Sequence, residues 1–150
     1  MTDSIDDFVL KFQSEILNEI KKTYGEKVYE RWLNPLYMGS IKDPDGYARL
    51  KGRCEDTMEI FLVFEDDRVK QASFQTDGCG SSIVCGSYAA EMALGKSPDE
   101  LLEVTAEAIL EKLGGLPKED EHCAFLAAEA LHEALNGFMI KQAARKRNKL

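Results

Sequence analysis

The chain has 150 residues and a formal net charge of −8, with 44% hydrophobic and 31% charged residues. This length can bury a core without disulfide bonds, and the composition is typical of a soluble globular protein rather than a disordered one. The negative charge argues against a general nucleic-acid binder, because phosphate contacts require a basic surface. No apolar run approaches the roughly 20 residues that span a membrane. The acidic N-terminus is unlike a secretory signal, so we expect a cytoplasmic protein with reduced cysteines.

The N-terminal part of the chain predicts two helices. Apolar residues recur at helical spacing within residues 1–23, which indicates an amphipathic helix. We expect its apolar stripe to pack against another surface. A short second helix through Val28 and Trp32 should end before Pro35, since the residue preceding proline is disfavoured in a helix.

The middle of the chain predicts an antiparallel sheet of three strands. A turn at residues 44–46 precedes a change to alternating apolar and polar residues, which is typical of strands. The predicted strands cover residues 47–51, 57–64 and 69–76, with a chain reversal at residues 65–67.

Helices follow to the end of the chain. Ser81 or Ser82 can cap the first of them, which Gly95 should end. A capping-box sequence at residues 97–100 starts the next helix, and we expect it to continue to Gly114.

A last helix should begin near Glu121, and residues 143–150 form a basic tail that we expect to be solvated. No repeat or linker interrupts the chain. The sequence therefore predicts one α+β domain over residues 1–150, a three-stranded antiparallel sheet with helices packed on one side plus an extra N-terminal helix.

Three cysteines, Cys54, Cys79 and Cys123, lie at predicted element ends beside small, acidic or imidazole residues. They are too far apart in sequence for a local metal-binding loop, so the fold must gather them. Thiolate, carboxylate and imidazole groups are ligands of transition metals. Helix N-termini also favour thiolate over thiol. A soft-metal or sulfur site is therefore the leading functional hypothesis.

The fourth ligand is open at this point. If the chain is extended here, Asp56 points to the same face as Cys54 and Glu55 points away, which favours Asp56. His122 directly precedes Cys123 at a helix start, and it is either a ligand or a residue that lines the site.

Other residues near these cysteines have ordinary interpretations. Helical phase turns Cys85 away from Cys79, so we expect Cys85 to pack in the core. It likewise turns His132 away from Cys123, so we expect a surface or hydrogen-bonded histidine. Gly78 and Gly80 either leave room for a bulky group beside Cys79 or serve the conformation of the turn.

Several segments between Tyr24 and Gln142 resemble the iron-sulfur cluster assembly scaffolds of the IscU and NifU N-terminal type. The segments are Tyr24-Gly25-Glu26-Lys27-Val28, Asn34-Pro35, Gly39-Ser40, Cys54-x-Asp56, Thr76-Asp77-Gly78-Cys79-Gly80-Ser81-Ser82-Ile83, Gly95-Lys96-Ser97, Leu116-Pro117 and His122-Cys123.

This resemblance implies a non-enzymatic scaffold. It implies that Cys54, Cys79 and Cys123 hold a nascent [2Fe-2S] cluster, with Asp56 and His122 completing the site or exchanging within it. Sulfur would come from a pyridoxal-phosphate cysteine desulfurase and iron from an iron donor. The cluster would then pass to apo-protein acceptors. Zinc could occupy the purified protein, and residues 1–23 either pack as an extra helix or shape the surface of a homodimer or partner complex.

The sequence departs from the family pattern in three places. Glu55 replaces the glycine that commonly follows the first cysteine. Leu116-Pro117-Lys118-Glu119-Asp120 replaces Leu-Pro-Pro-Val-Lys, which argues against reliance on the dedicated DnaK-type chaperone. Residues 1–23 have no counterpart in the short IscU N-terminus.

Two other classes of function fit the same residues. Three thiolates with one carboxylate or imidazole also form a closed tetrahedral zinc site, as in a structural or storage zinc protein. A sulfurtransferase would instead use one of the thiols as a persulfide carrier.

Overall fold

A computed structural model of the chain describes residues 2–53 and 55–148, with side chains described from Ser4 onward. Its elements in chain order are α1 (Thr2–Tyr24), α2 (Glu26–Leu33), β1 (Gly46–Lys51), β2 (Thr57–Glu65), β3 (Arg68–Thr76), α3 (Gly80–Ala93), α4 (Pro98–Leu101), α5 (Ala106–Leu113), a 3-10 turn (Lys118–Asp120) and α6 (His122–Asn148). Among the described helices, none is both long and apolar enough to cross a membrane.

The three strands form an antiparallel meander in the order β1-β2-β3, which confirms the predicted sheet. Ile60 at the centre of β2 pairs with Ala48 on one side and Phe74 on the other. The β2–β3 hairpin turns through Asp66 and Asp67, both with positive φ (53° and 64°). Positive φ at both central residues is the geometry that matches the twist of two antiparallel strands.

Helices α3 and α6 cover one face of the sheet, as predicted. The alternate residues Met58, Ile60 and Leu62 of β2 point to that face and are fully buried. Phe138 of α6 stacks on Phe64 with the ring centroids 3.8 Å apart. The packing of α3 and α6 on the sheet fixes the positions of their N-termini relative to the C-terminal end of β3.

Helix α2 is tied to α3 by one arginine. Arg31 donates to Ser87 Oγ (3.0 Å) and to Glu91 Oε1 (2.9 Å), and its guanidinium lies 4.0 Å from the ring centroid of Tyr88. A guanidinium over an aromatic face adds a cation-π attraction. These contacts hold α2 against the C-terminal half of α3.

The predicted N-terminal helix is confirmed, but its apolar stripe does not pack as expected. Every side chain from Ser4 to Ile16 is exposed, and Phe8 and Ile5 keep 68% and 67% of their surface accessible. Leu17, Ile20 and Tyr24 are half-buried toward α2. Helical periodicity therefore predicts the helix correctly, but the prediction that its apolar stripe is packed against another surface is wrong for residues 4–16.

Two helix boundaries differ from the prediction. The N-cap of α3 is Cys79 rather than Ser81 or Ser82. The single helix predicted from Ser97 to Gly114 is two helices, because the Thr105 hydroxyl accepts a hydrogen bond from the Ala108 N–H and starts α5 separately. A capping hydroxyl satisfies an N–H group that a continuous helix would pair with its own backbone.

Candidate functional site

The site lies where β3 ends and α3 and α6 begin. Cys79 follows β3 as the N-cap of α3 and is exposed, whereas Cys123 lies in the first turn of α6 and is buried. Both cysteines therefore stand at helix starts, one as the N-cap and the other in the first turn. Cys54, the third predicted ligand, lies outside the described residues.

A buried hydroxyl links the described candidate ligands. Ser82 Oγ lies 3.2 Å from Asp56 Oδ2, 3.4 Å from Cys123 Sγ and 4.0 Å from Cys79 Sγ. His122 Nε2 lies 3.7 Å from Cys123 Sγ. The fold thus brings together Cys79, Cys123, Asp56 and His122 from three separate parts of the chain.

These groups do not yet form a coordination shell. Among the described residues, no three Cys, His, Asp or Glu side chains converge closely enough to hold a metal ion. The Ser82 hydroxyl stands between the carboxylate of Asp56 and the thiol of Cys123.

Asp56 reaches the site through a turn rather than the extended chain that we expected. The Gly52 N–H donates to the Asp56 carbonyl oxygen (2.7 Å), and the Glu55 N–H donates to the Gly52 carbonyl oxygen (3.1 Å). Glu55 has φ +65°, a left-handed conformation. The extended-strand argument for Asp56 was therefore wrong, although Asp56 does contact Ser82.

A neighbouring hydrogen bond fixes the end of this turn. The Thr57 N–H donates to Asp77 Oδ1 at 2.6 Å, which ties the first residue of β2 to the segment just before Cys79. Thr76 Oγ1 donates to the Thr57 carbonyl oxygen at 2.7 Å. Asp56 and Cys79 are consequently held at the same end of the sheet.

The two glycines beside Cys79 serve close packing. A Cβ atom at Gly78 would lie 2.6 Å from Ser82 Oγ and 2.8 Å from Asp56 Oδ2. At Gly80 it would lie 2.9 Å from Trp32 Nε1. Neither glycine has a positive φ. Glycine is required at both positions because a side chain would have no room, and not because of the conformation of the turn.

Burial raises the pKa of Cys123 to about 12, against a lowering effect of the hydrogen bond to Ser82. The Cys123 thiol is therefore protonated at neutral pH in the metal-free protein. A metal must displace that proton to bind the sulfur.

The two residues expected to be outside the site behave as ordinary packing residues. Cys85 is fully buried in the core, and burial raises the pKa of its thiol. His132 Nε2 lies 3.2 Å from the Leu101 carbonyl oxygen. Both agree with the helical-phase prediction.

A mostly apolar cavity of about 360 Å³ opens beside Cys79. Its lining residues are Ile20, Tyr24, Val28, Trp32, Cys79, Gly80, Ser81 and Asp120. The Tyr24 hydroxyl donates a hydrogen bond to the Asp120 carboxylate, which raises the pKa of Tyr24. The C-terminal end of α1 thus forms part of the surroundings of the exposed thiol.

Sequence reasoning missed the position of Ser82 in the site, because a serine at a helix start was interpreted as a cap. The signal that could have identified it is its spacing. Ser82 follows Cys79 by one helical turn, and residues three apart on a helix are neighbours on one face.

Known proteins provide an independent comparison. Residues 23–145 match the family described as the NifU-like N terminal domain. The chain is 41% identical over 119 residues to the iron-sulfur cluster assembly scaffold protein IscU 1 of Archaeoglobus fulgidus, covering 79% of this chain and 78% of that protein. It is 37% identical over 122 residues to the scaffold protein IscU of Aquifex aeolicus, with the same shares covered.

Solved structures share the fold. The structure of a NifU-like protein (N-terminal) from Brucella abortus superimposes with a TM-score of 0.64 at 19% identity, covering 81% of this chain and 98% of that one. The family match extends over most of the sequence, and the chain belongs to the NifU-like N-terminal domain family.

Proposed function

We propose that this protein is a scaffold on which an iron-sulfur cluster is assembled and from which it is passed to apo-protein acceptors. The observation that carries the proposal is the convergence of Cys79, Cys123 and Asp56 on one buried hydroxyl at two helix starts. Membership of the NifU-like family and the names of the IscU relatives support it. The cluster is the cargo of such a protein rather than a resident cofactor.

The donor set suits a cluster that must leave again. Thiolates bind iron strongly, whereas a carboxylate oxygen or an imidazole is a more exchangeable ligand in place of a fourth thiolate. We propose Cys54, Cys79 and Cys123 as the thiolate ligands of a [2Fe-2S] cluster, with Asp56 or His122 at the exchangeable position. The exposure of Cys79 gives a sulfur donor and an acceptor access to the site.

The partners follow from the atoms that a cluster contains. Sulfide requires a sulfur donor of the cysteine desulfurase class together with a reductant, because that sulfur arrives at the oxidation level of a persulfide. Iron requires a ferrous donor, and release requires an apo-protein with free thiols. The scaffold itself turns over no substrate, so we propose a non-enzyme.

Anaerobic reconstitution tests the proposal. The protein is incubated with ferrous iron, cysteine, a thiol reductant and a cysteine desulfurase, and visible absorption is followed before apo-ferredoxin is added. We expect a coloured chromophore that passes to the ferredoxin. Cys79→Ser and Cys123→Ser should lose it, whereas the buried Cys85→Ser should keep it. A colourless protein that holds one zinc ion tightly would overturn the proposal in favour of a zinc protein.

Asp56 tests the exchangeable position. Asp56→Ala should slow cluster transfer to apo-ferredoxin while leaving the melting temperature of the metal-free protein nearly unchanged, because the Asp56 carboxylate is half-exposed at the end of a turn. Transfer at the wild-type rate would make Asp56 a spectator and leave His122 as the candidate.

A further inference from the structure

Ser82 is placed to act on the ligands of the site instead of on its own helix. It is fully buried at the third position of α3, where a serine can bond to the helix backbone. The hydrogen bonds described for its hydroxyl instead join it to Asp56, Cys123 and Cys79. Three candidate ligands from three segments thus share one neutral polar group.

We propose that Ser82 is a positioning residue of the cluster site. Its hydroxyl fixes the Asp56 carboxylate and the Cys123 thiol in the metal-free protein, and it donates a hydrogen bond to a site thiolate once metal is bound. This inference rests on the proposed function, because it assigns a role within the same site.

The chemistry of the hydroxyl allows both states. A serine hydroxyl has one proton to donate and two lone pairs that accept. An ionised carboxylate only accepts, so the single hydroxyl proton can be donated either to Asp56 Oδ2 at 3.2 Å or to Cys123 Sγ at 3.4 Å. A metal-bound thiolate sulfur has no proton of its own and only accepts. The hydroxyl can then turn to it and release Asp56.

The packing around Ser82 leaves its side chain little freedom. A Cβ atom at Gly78 would lie 2.7 Å from the Ser82 Cβ, so the segment before Cys79 passes directly over this side chain. Confinement of this kind fixes the hydroxyl near the ligands without a hydrogen bond to the helix. Removing a group that hydrogen-bonds to a metal ligand commonly weakens metal binding by about 10-fold to 100-fold.

The test compares Ser82→Ala with Ser81→Ala in the full chain under anaerobic conditions. Ser81 is the matched control, since it is the adjacent buried serine on the same helix turn and lines the neighbouring cavity. Cobalt(II) titration, followed by its visible absorption and by competition with zinc, gives an affinity without any cluster assembly. We expect about 10-fold to 100-fold weaker binding for Ser82→Ala, and wild-type binding for Ser81→Ala.

A second measurement separates a direct effect on sulfur from loss of structure. Hydrogen bonds to cluster sulfurs help to set the reduction potential. The reconstituted Ser82→Ala cluster should therefore have a more negative potential than the wild-type and Ser81→Ala clusters. Melting temperatures verify that each variant is folded.

Wild-type cobalt affinity and potential in Ser82→Ala would overturn the inference, as would equal losses in Ser82→Ala and Ser81→Ala. Either result leaves the proposed function intact if the wild-type protein builds and transfers a cluster. If the wild-type protein builds none, the proposed function fails, and the cobalt affinities alone decide whether Ser82 positions the metal ligands.

Discussion

Glu55 adopts a backbone conformation that is unfavourable for a glutamate residue. Its φ of +65° lies in the left-handed region, where the Cβ atom of an L-residue crowds its own backbone. The turn that carries Asp56 into the site requires this conformation, since it closes through the Gly52 and Glu55 hydrogen bonds. Glycine would adopt it without steric cost.

We therefore expect Glu55→Gly to stabilise the metal-free protein. The free energy of unfolding should rise by about 0.5–1 kcal/mol, because relief of the backbone crowding exceeds the added flexibility of the unfolded chain. Urea denaturation measures the change. As a control, Glu129→Gly on the exposed face of α6 should lower stability by about 1 kcal/mol, as glycine does within a helix. A loss of stability in Glu55→Gly would contradict the argument.

The buried thiol of Cys123 predicts a pH dependence of metal binding. Its pKa of about 12 lies above the ordinary thiol value, so the thiol is protonated at pH 7, and a metal that is to bind this sulfur must displace the proton. Zinc affinity should therefore rise with pH throughout the neutral range. Calorimetry in buffers of different ionisation enthalpy should show about one proton fewer released per zinc by Cys123→Ala than by the wild-type protein. Equal proton release by the two proteins would show that Cys123 does not bind the metal.

Among the elements, α1 differs from the others in contributing little to the core. Its N-terminal two-thirds expose Ile5, Phe8, Leu10 and Phe12, and within the described chain the helix packs mainly against α2. Amphipathic spacing was sufficient to predict this helix. Its stability within the fold comes from its C-terminal end, where Ile20 and Tyr24 approach the cavity beside Cys79.

Polar substitution of the exposed α1 face should consequently cost little. We expect Phe8→Ser with Phe12→Ser to change the free energy of unfolding by no more than about 0.5 kcal/mol, as for other surface sites. Leu131→Ala, in the fully buried part of α6, should cost about 2–5 kcal/mol. Chemical denaturation of both variants makes the comparison. A large loss in the double variant would mean that this face is buried in solution.

At the scale of the whole molecule, the closeness of α3 to the sheet sets the geometry of the site. Gly86 lies against β3, where a Cβ atom would overlap the ring of the fully buried Phe74. The helix can approach the sheet closely because this position carries no side chain. Cys79 and Ser82 begin the same helix, so their distance from Asp56 depends on this contact.

Two glycine substitutions within helices test the close approach. Gly86→Ala should destabilise the protein by about 1–3 kcal/mol, because the added methyl group has no room in the core. Gly137→Ala on α6 should instead stabilise it by about 0.5–1 kcal/mol, since its Cβ atom would meet only an ordinary contact at 3.6 Å. Thermal and urea unfolding measure both effects. Similar effects of the two substitutions would show that helix propensity, and not packing, decides them.

Local sequence determined the elements of this protein and most of their boundaries. Alternation along β2, the reversal at residues 65–67 and the glycine at position 95 are short-range signals, and the structure follows them. Helical phase was likewise sufficient to place Cys85 in the core, because phase depends only on the spacing of residues along one helix.

Tertiary structure decided what those elements contact. The exposed face of α1, the separate start of α5 and the turn at Glu55 depend on neighbours or on backbone conformations that spacing does not encode. Ser82 is the clearest case, since its local sequence is that of a helix cap. Only the packing of α3 against β2 and α6 brings Asp56 and Cys123 to its hydroxyl, and contacts between segments distant in sequence leave no periodic signal in any one of them.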